Sequence, residues 1–201
     1  LVYERKDQPD WGFNGRVTDD GRYLIISVSE GTDPKNRVLY KDLKTPDAPV
    51  VELLMDFDAS YDFVENDGSV FWFKTDLAAP RSRLIAIDVT QPARANWKEV
   101  ILQSADTLQG VSVVNQQFIA AYLKDARSVV KIFALNGKPV REYRLAGIRD
   151  EGGRERLERI QECGYDGFGG SASCLRPLRV GWADIASGAS NYPIAVAELV
   201  D

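Results

Sequence analysis

The chain has 201 residues, of which 44% are hydrophobic and 27% are charged, and its formal net charge is −5. These proportions are typical of a globular protein with a substantial core. The acidic balance argues against a nucleic-acid partner, which requires a basic face. No run of about 18 apolar residues occurs, so no membrane span is expected.

Histidine is absent from the sequence. A Ser-His-Asp triad, a Cys-His pair and histidine-based acid–base catalysis therefore cannot be assembled from this chain alone. The two cysteines, Cys163 and Cys174, lack the spacing of a zinc site. We expect them to be free thiols in a reducing compartment, and we expect no catalytic residue, metal or cofactor in this chain.

The chain starts without Met, and residues 2–6 resemble the end of a preceding element, so we expect a piece of a longer protein. A first unit is predicted over residues 14–54. The turn signal Asp19-Asp20-Gly21 separates its first two strands, because Gly accepts positive φ and Asp bonds its own backbone. The four predicted strands are residues 14–18, 23–28, 37–43 and 50–53.

A second unit is predicted over residues 61–102, with strands at 62–64, 69–75, 83–89 and 98–102. Phe71, Trp72 and Phe73 fall on both faces of one strand, which indicates a sheet buried between two others. A third unit, over residues 110–145, has strands at 111–114, 118–123, 129–135 and 139–145. The strongest hairpin signal of the chain, Asn136-Gly137, lies in this unit.

The turn positions Asp20, Asp67 and Asn115 repeat at a period of about 47 residues, inside the range of propeller blades. Sheets of four short strands bury their faces by packing against neighbours around an axis. The sequence therefore predicts an all-β partial β-propeller of about three four-stranded antiparallel blades, over residues 1–148. From Arg149 the composition shifts towards Arg, Gly, Ala and Ser. We expect residues 149–201 to form an irregular or weakly helical tail, produced by a reading-frame change or by a different domain.

Three groups of polar residues invite a functional interpretation. The carboxylate pairs Asp19/Asp20, Asp56/Asp58 and Glu65/Asp67 lie at turns, where Asp is common for backbone reasons. Lys124, Asp125 and Arg127 are interpreted as a solvated loop. Residues 169–173 (GGSAS) lack the second glycine of a nucleophile elbow and are interpreted as a flexible loop.

Several strings resemble the propeller domain of prolyl oligopeptidases in both order and spacing. They are VTDDGRY at 17–23, EGTDPKNR at 30–37, YKDL at 40–43, YDFV at 61–64, FKT at 73–75, AP at 79–80, RLI at 83–85, ID at 87–88 and WK at 97–98. The match covers roughly residues 2–145, nearly three-quarters of the chain.

The resemblance implies a cytoplasmic or periplasmic serine peptidase that cuts short peptides after proline. A propeller would gate an α/β-hydrolase catalytic domain, which is missing here and is the expected partner. Substrate contacts are expected in the loop over residues 74–83, at Lys74, Thr75, Leu77 and Arg81. The alternative is a free-standing propeller that binds other molecules without any link to proteolysis.

Overall fold

The computed structural model describes residues 1–149, 155–165, 173–183 and 194–198. The chain divides into two compact units, Leu1–Val113 and Val114–Asp201. The predicted division after residue 148 stays a prediction. Among the described residues, no helix has the length and hydropathy needed to cross a membrane.

The first unit contains two four-stranded antiparallel sheets, each with its strands in chain order. The first sheet consists of β1 (Trp11–Val17), β2 (Tyr23–Glu30), β3 (Asn36–Asp42) and β4 (Val51–Leu54). The second sheet consists of β5 (Tyr61–Asp67), β6 (Val70–Thr75), β7 (Arg83–Asp88) and β8 (Lys98–Ile101), with a 3₁₀ turn at Arg94–Asn96. The strand β9 (Thr107–Val114) follows. This up-and-down order is the one predicted for propeller blades.

Tight turns at the predicted positions set the register of both sheets. Gly21 has φ +67° and Gly68 has φ +56°, in the left-handed region that favours glycine. The turn at Gly21 joins β1 to β2 and places Val17 opposite Leu24 and Arg16 opposite Ile25 across these strands. Because side chains alternate between faces, this register directs Tyr23 and Ile25 to the same buried face.

Aromatic rings form the core between the first and second sheets. Phe71 and Phe73 are fully buried, which confirms their predicted packing role. Phe71 meets the rings of Tyr23, Tyr40 and Phe63 edge to face, at centroid distances of 4.8, 5.4 and 5.6 Å. Such edge-to-face pairs add stabilisation beyond the area that they bury.

Asn36 joins the two sheets through the backbone of Tyr61. Its side-chain Oδ1 accepts from the Tyr61 N–H at 2.6 Å, and its Nδ2 donates to the Tyr61 carbonyl at 3.0 Å. Nδ2 also donates to the Ser27 hydroxyl at 3.0 Å. The amide thereby supplies partners for both the N–H and the carbonyl of Tyr61 at the start of β5.

The second unit contains a sheet in the order β10, β11, β12, β13, β15 and β16, with β14 paired to β13. The strands are β10 (Gln117–Lys124), β11 (Arg127–Ala134), β12 (Pro139–Arg149), β13 (Glu155–Gly164), β14 (Ser173–Cys174), β15 (Leu178–Ala183) and β16 (Ile194–Glu198). Gly137, in the predicted Asn136-Gly137 turn, has φ +81°.

The prediction of an irregular or weakly helical tail is wrong for the described residues. Residues 155–164 form strand β13 instead of a helix, and Leu145 faces Ile160 across β12 and β13. The charged sequence has only a weak local preference, and pairing along the exposed edge of β12 overrides it. The low-complexity stretches at 166–172 and 184–193 lie outside the described residues.

The prediction of two free thiols is also wrong. Cys163 and Cys174 form a disulfide across a sequence separation of 11 residues. Strands β13 and β14 are antiparallel, and their register places the two cysteines directly opposite each other. The sequence alone does not indicate this register, because it predicts no strands in this part of the chain.

Candidate functional site

The end of β6 and the loop that follows it hold the four predicted substrate contacts, Lys74 and Thr75 in the strand and Leu77 and Arg81 in the loop. Hydrogen bonds hold this segment in place. The Leu77 N–H donates to the Thr75 hydroxyl at 3.1 Å, and the Ser60 N–H donates to Asp76 Oδ1 at 2.8 Å. The Ala79 N–H donates to the Asp76 carbonyl at 2.8 Å. These bonds fix the loop against the start of the second sheet.

Three of the four predicted contact residues have side chains that make structural contacts within the first unit. Thr75 is only 1% exposed, and Leu77 packs against the aromatic core. The Lys74 ammonium lies 2.9 Å from Asp62 Oδ2 and donates to the Gln109 carbonyl at 3.1 Å. Lys74 therefore positions the loop relative to the first strand of its sheet and β9.

Arg81 differs from the other three because its backbone is fixed while its side chain is exposed. Its N–H donates to Gln103 Oε1 at 2.8 Å, and its carbonyl accepts from the Leu108 N–H at 2.9 Å. No hydrogen bond or ion pair links the Arg81 guanidinium to another residue of the described part of the chain. A cation on a fixed backbone is suited to bind an anionic or carbonyl group.

A second cluster surrounds Arg94, beside a 290 Å³ cavity. Arg94 contacts Asp56 Oδ2 at 2.8 Å and Asp58 Oδ2 at 2.6 Å, and its guanidinium lies 5.2 Å from the centre of the Trp97 ring. Burial opposes ionisation of Asp58, but hydrogen bonds from Arg94 and Tyr61 lower its pKa below the usual value. Arg94 thus pairs with both carboxylates, and its single charge offsets one of their two negative charges. Sequence reasoning missed this contact because Arg94 lies 36 residues from Asp58 in the chain.

The remaining carboxylate pairs are also held by neighbours. Asp20 accepts from the Thr18 hydroxyl at 2.6 Å and from Asn66 Nδ2 at 3.1 Å, and the bond from Thr18 lowers its pKa. Glu65 lies 3.3 Å from Arg16, and burial raises the pKa of Glu65. Over the described ranges, no group of three or more Asp, Glu or Cys residues is arranged to hold a metal ion.

The string at 169–173 lies outside the described residues except for Ser173, which belongs to β14.

Comparison with known proteins places these sheets in one family. Residues 1–153 match the model of the prolyl oligopeptidase N-terminal beta-propeller domain. The chain is 33% identical over 140 residues to a prolyl endopeptidase of Elizabethkingia miricola, covering 70% of this chain and 19% of that enzyme. The chain thus spans about a fifth of the length of this curated relative.

Two solved structures share the fold. A prolyl endopeptidase structure superposes with a TM-score of 0.65 at 28% identity, covering 89% of this chain and 26% of the other. Apo prolyl oligopeptidase B from Galerina marginata superposes with a TM-score of 0.66 over 97% of this chain and 32% of the other. At 18% identity the second match shows the fold alone. These similarities confirm the predicted partial β-propeller.

The model match covers most of the chain, and it agrees with the antiparallel four-stranded sheets. The chain therefore belongs to the prolyl oligopeptidase N-terminal β-propeller family.

Proposed function

We propose that this chain is the substrate-gating propeller portion of a prolyl oligopeptidase, a serine-type endopeptidase that cleaves short peptides after proline. The observation that carries the proposal is the family match over residues 1–153. The match to only about a fifth of a full-length relative supports a longer parent protein with a separate catalytic domain.

In this proposal the chain itself is not catalytic. The sequence contains no histidine, so the proton transfers of a serine peptidase require groups from an α/β-hydrolase domain. The chain's role is steric: a rigid set of blades admits an extended short peptide and excludes a folded protein.

The contacts between the first two sheets support a rigid gate. The Asn36 amide clamps the Tyr61 backbone, and the Phe71 ring is fully buried among aromatic neighbours. Opening a gap between these sheets would break both hydrogen bonds and expose the rings. The structure of prolyl oligopeptidase B from Galerina marginata has been solved with a bound 35mer substrate. A protein that shares this fold therefore binds a peptide substrate.

Within the predicted loop, we assign the substrate contact to Arg81 first. Its side chain is exposed and its backbone is fixed by Gln103 and Leu108, whereas Lys74, Thr75 and Leu77 serve the fold.

The gating proposal is tested with a chimera. The segment of the Elizabethkingia miricola enzyme that aligns with this chain is replaced by the corresponding residues of this chain. We expect the chimera to cleave a short proline-containing chromogenic peptide and to leave a long proline-containing protein uncut. The same chimera with Arg81→Ala should show a KM about threefold higher, while Lys35→Ala, at an exposed lysine outside the loop, should not.

Two outcomes would contradict the proposal. If the chimera cleaved the long protein as fast as the short peptide, the gating role would be contradicted. If the purified 201-residue chain alone cleaved the chromogenic peptide, the proposal that this chain is not catalytic would be wrong.

For localisation we favour the periplasm over the cytoplasm. The Cys163–Cys174 disulfide persists in oxidising compartments and is rare in reducing ones. Alkylation of the denatured protein taken from its native cells, without reductant, should leave both cysteines unlabelled. Full labelling would place the protein in the cytoplasm.

A further inference from the structure

One face of the second unit carries a row of four cations on neighbouring strands. Lys124 on β10 lies directly opposite Arg127 on β11, and Arg159 on β13 lies directly opposite Arg179 on β15. We call Lys124, Arg127, Arg159 and Arg179 the basic row. Like charges at directly facing positions repel each other and destabilise a sheet.

The strand register places the whole basic row on one face. Across neighbouring strands, Val129 lies opposite Arg144, Arg144 lies opposite Gln161, and Ala146 lies opposite Arg159. Residues that lie opposite each other point to the same face of the sheet. Residues two apart on a strand share a face, so Arg127 shares the face of Val129, and Ala146 shares the face of Arg144. The small Ala146 lies between the two like-charged pairs and leaves open space there.

A cavity of 460 Å³ lies over this face, within the size range of ligand sites. Lys124, Arg127, Arg144 and Arg159 line it together with apolar groups that include Val129, Leu145 and Pro177. Asp125, in the turn after Lys124, is the only acidic residue among the described lining residues. The described wall of the cavity is therefore strongly cationic.

Acidic side chains of the protein neutralise only part of this charge. Arg144 donates to Glu142 at 2.7 Å, and Arg159 lies 3.6 Å from Glu158. Over the described ranges, no hydrogen bond or ion pair involves the side chains of Lys124 or Arg127, whereas Arg179 lies directly opposite Glu198 across β15 and β16. Arg127 and Arg159 are exposed and remain available to a ligand.

We propose that the basic row binds an acidic segment of a peptide. Neighbouring strands lie about 4.8 Å apart, so a row from β10 to β15 extends about 19 Å and can pair with several separate carboxylates. A single small anion would reach only one of the two like-charged pairs. Guanidinium groups match carboxylates in a two-point geometry, and the apolar lining accommodates the carbon chain between them.

The inference does not depend on the proposed peptidase function, because binding is measured directly on the 201-residue chain. Isothermal titration calorimetry is performed with acetylated, amidated tetraglutamate and with the matching tetraglutamine peptide. We expect tetraglutamate to bind, more weakly at high salt, and tetraglutamine not to bind. Inorganic phosphate is the third ligand and should bind far more weakly than tetraglutamate.

The matched variants remove two charges each. Arg127→Gln with Arg159→Gln should weaken tetraglutamate binding at least about fivefold. Lys35→Gln with Lys138→Gln removes the same charge from exposed positions outside the cavity and should leave the affinity within about twofold. A second readout separates binding from folding: without ligand, Arg127→Gln should raise the Tm, since it relieves the repulsion from Lys124.

Three results would overturn the proposal. The first is that tetraglutamate does not bind at low salt. The second is that the two double variants lose the same amount of affinity for tetraglutamate. The third is that phosphate binds as tightly as tetraglutamate. The last result would assign the row to small anions. A lower Tm for Arg127→Gln would assign Arg127 to folding.

Discussion

At the residue scale, Asn36 connects two sheets with a single side chain. Its amide makes one hydrogen bond to the N–H of Tyr61 and one to the carbonyl of Tyr61, as a neighbouring strand would. We expect Asn36→Ala to lower the free energy of unfolding by about 2 kcal/mol, because both bonds are lost and backbone groups of Tyr61 lose their partners. Urea denaturation of the 201-residue chain measures the change.

Asn14→Ala is the control for Asn36, since Asn14 is an exposed asparagine in the first sheet. Its substitution should change the free energy of unfolding by less than about 0.5 kcal/mol. Equal effects of the two substitutions would show that the Asn36 amide does not link the sheets.

Glu142, on β12, is a buried carboxylate whose role depends on pH. It is 7% exposed and accepts from Arg144 Nε at 2.7 Å and from the Tyr165 hydroxyl at 2.7 Å. Burial alone would raise its pKa, but these two hydrogen bonds outweigh burial and hold the pKa below the usual value. A depressed pKa in the folded state means that the stabilisation is present above the unfolded pKa and is lost as pH falls through the folded pKa.

Glu142→Gln should therefore destabilise the chain by about 1–2 kcal/mol at neutral pH, since charge-assisted hydrogen bonds are replaced by neutral ones. The difference from the unchanged chain should shrink as pH falls below the unfolded pKa and through the lowered folded pKa of Glu142, and it should vanish only where the carboxyl group is protonated in both states. Urea denaturation across pH measures this. A difference that is the same at every pH would assign Glu142 a packing role only.

At the scale of elements, aromatic rings from the first two sheets belong to one buried core cluster of the first unit. Phe71→Ala should lower the free energy of unfolding by about 4 kcal/mol, because Phe71 is fully buried and contacts Tyr23, Tyr40 and Phe63. Phe13→Ala, at a ring that is 45% exposed, should cost under about 1 kcal/mol. Similar losses at both positions, measured by urea denaturation, would contradict this core.

The strands of the blades were predictable because their signals are local. Turn residues such as Gly21 and Gly68 mark where each hairpin reverses, and alternating apolar residues mark the buried face. The Asn36–Tyr61 clamp and the Arg94 cluster were not predictable, since both join residues at least 25 positions apart. Their geometry depends on how two sheets pack, which no local pattern encodes.

The strands of the tail were missed for a related reason. Residues 155–164 carry many charges and no clear turn, so their sequence favours no element strongly. Strand β12 extends through Arg149 and offers an edge that β13 pairs with. From the sequence, Lys124, Asp125 and Arg127 are interpreted as a solvated loop, because Arg159 and Arg179 align with Lys124 and Arg127 only once these strands exist.

At the scale of the whole molecule, the disulfide cross-links only the second of the two compact units. The disulfide Cys163–Cys174 lies entirely within the second unit and joins β13 to β14. Closing a loop of this length restricts the unfolded chain and is worth about 3 kcal/mol in the chain-entropy model. Reduction should therefore destabilise the second unit and leave the first unit unchanged.

Hydrogen exchange read by mass spectrometry distinguishes the two units in one sample. After reduction, amides of β11, β12 and β13 should exchange faster, whereas amides of β2, β6 and β7 should keep their protection. The double variant Cys163→Ser/Cys174→Ser should match the reduced protein and should not respond to reductant. Faster exchange in both units would mean that they unfold together, because a cross-link confined to one of two independent units cannot change the stability of the other.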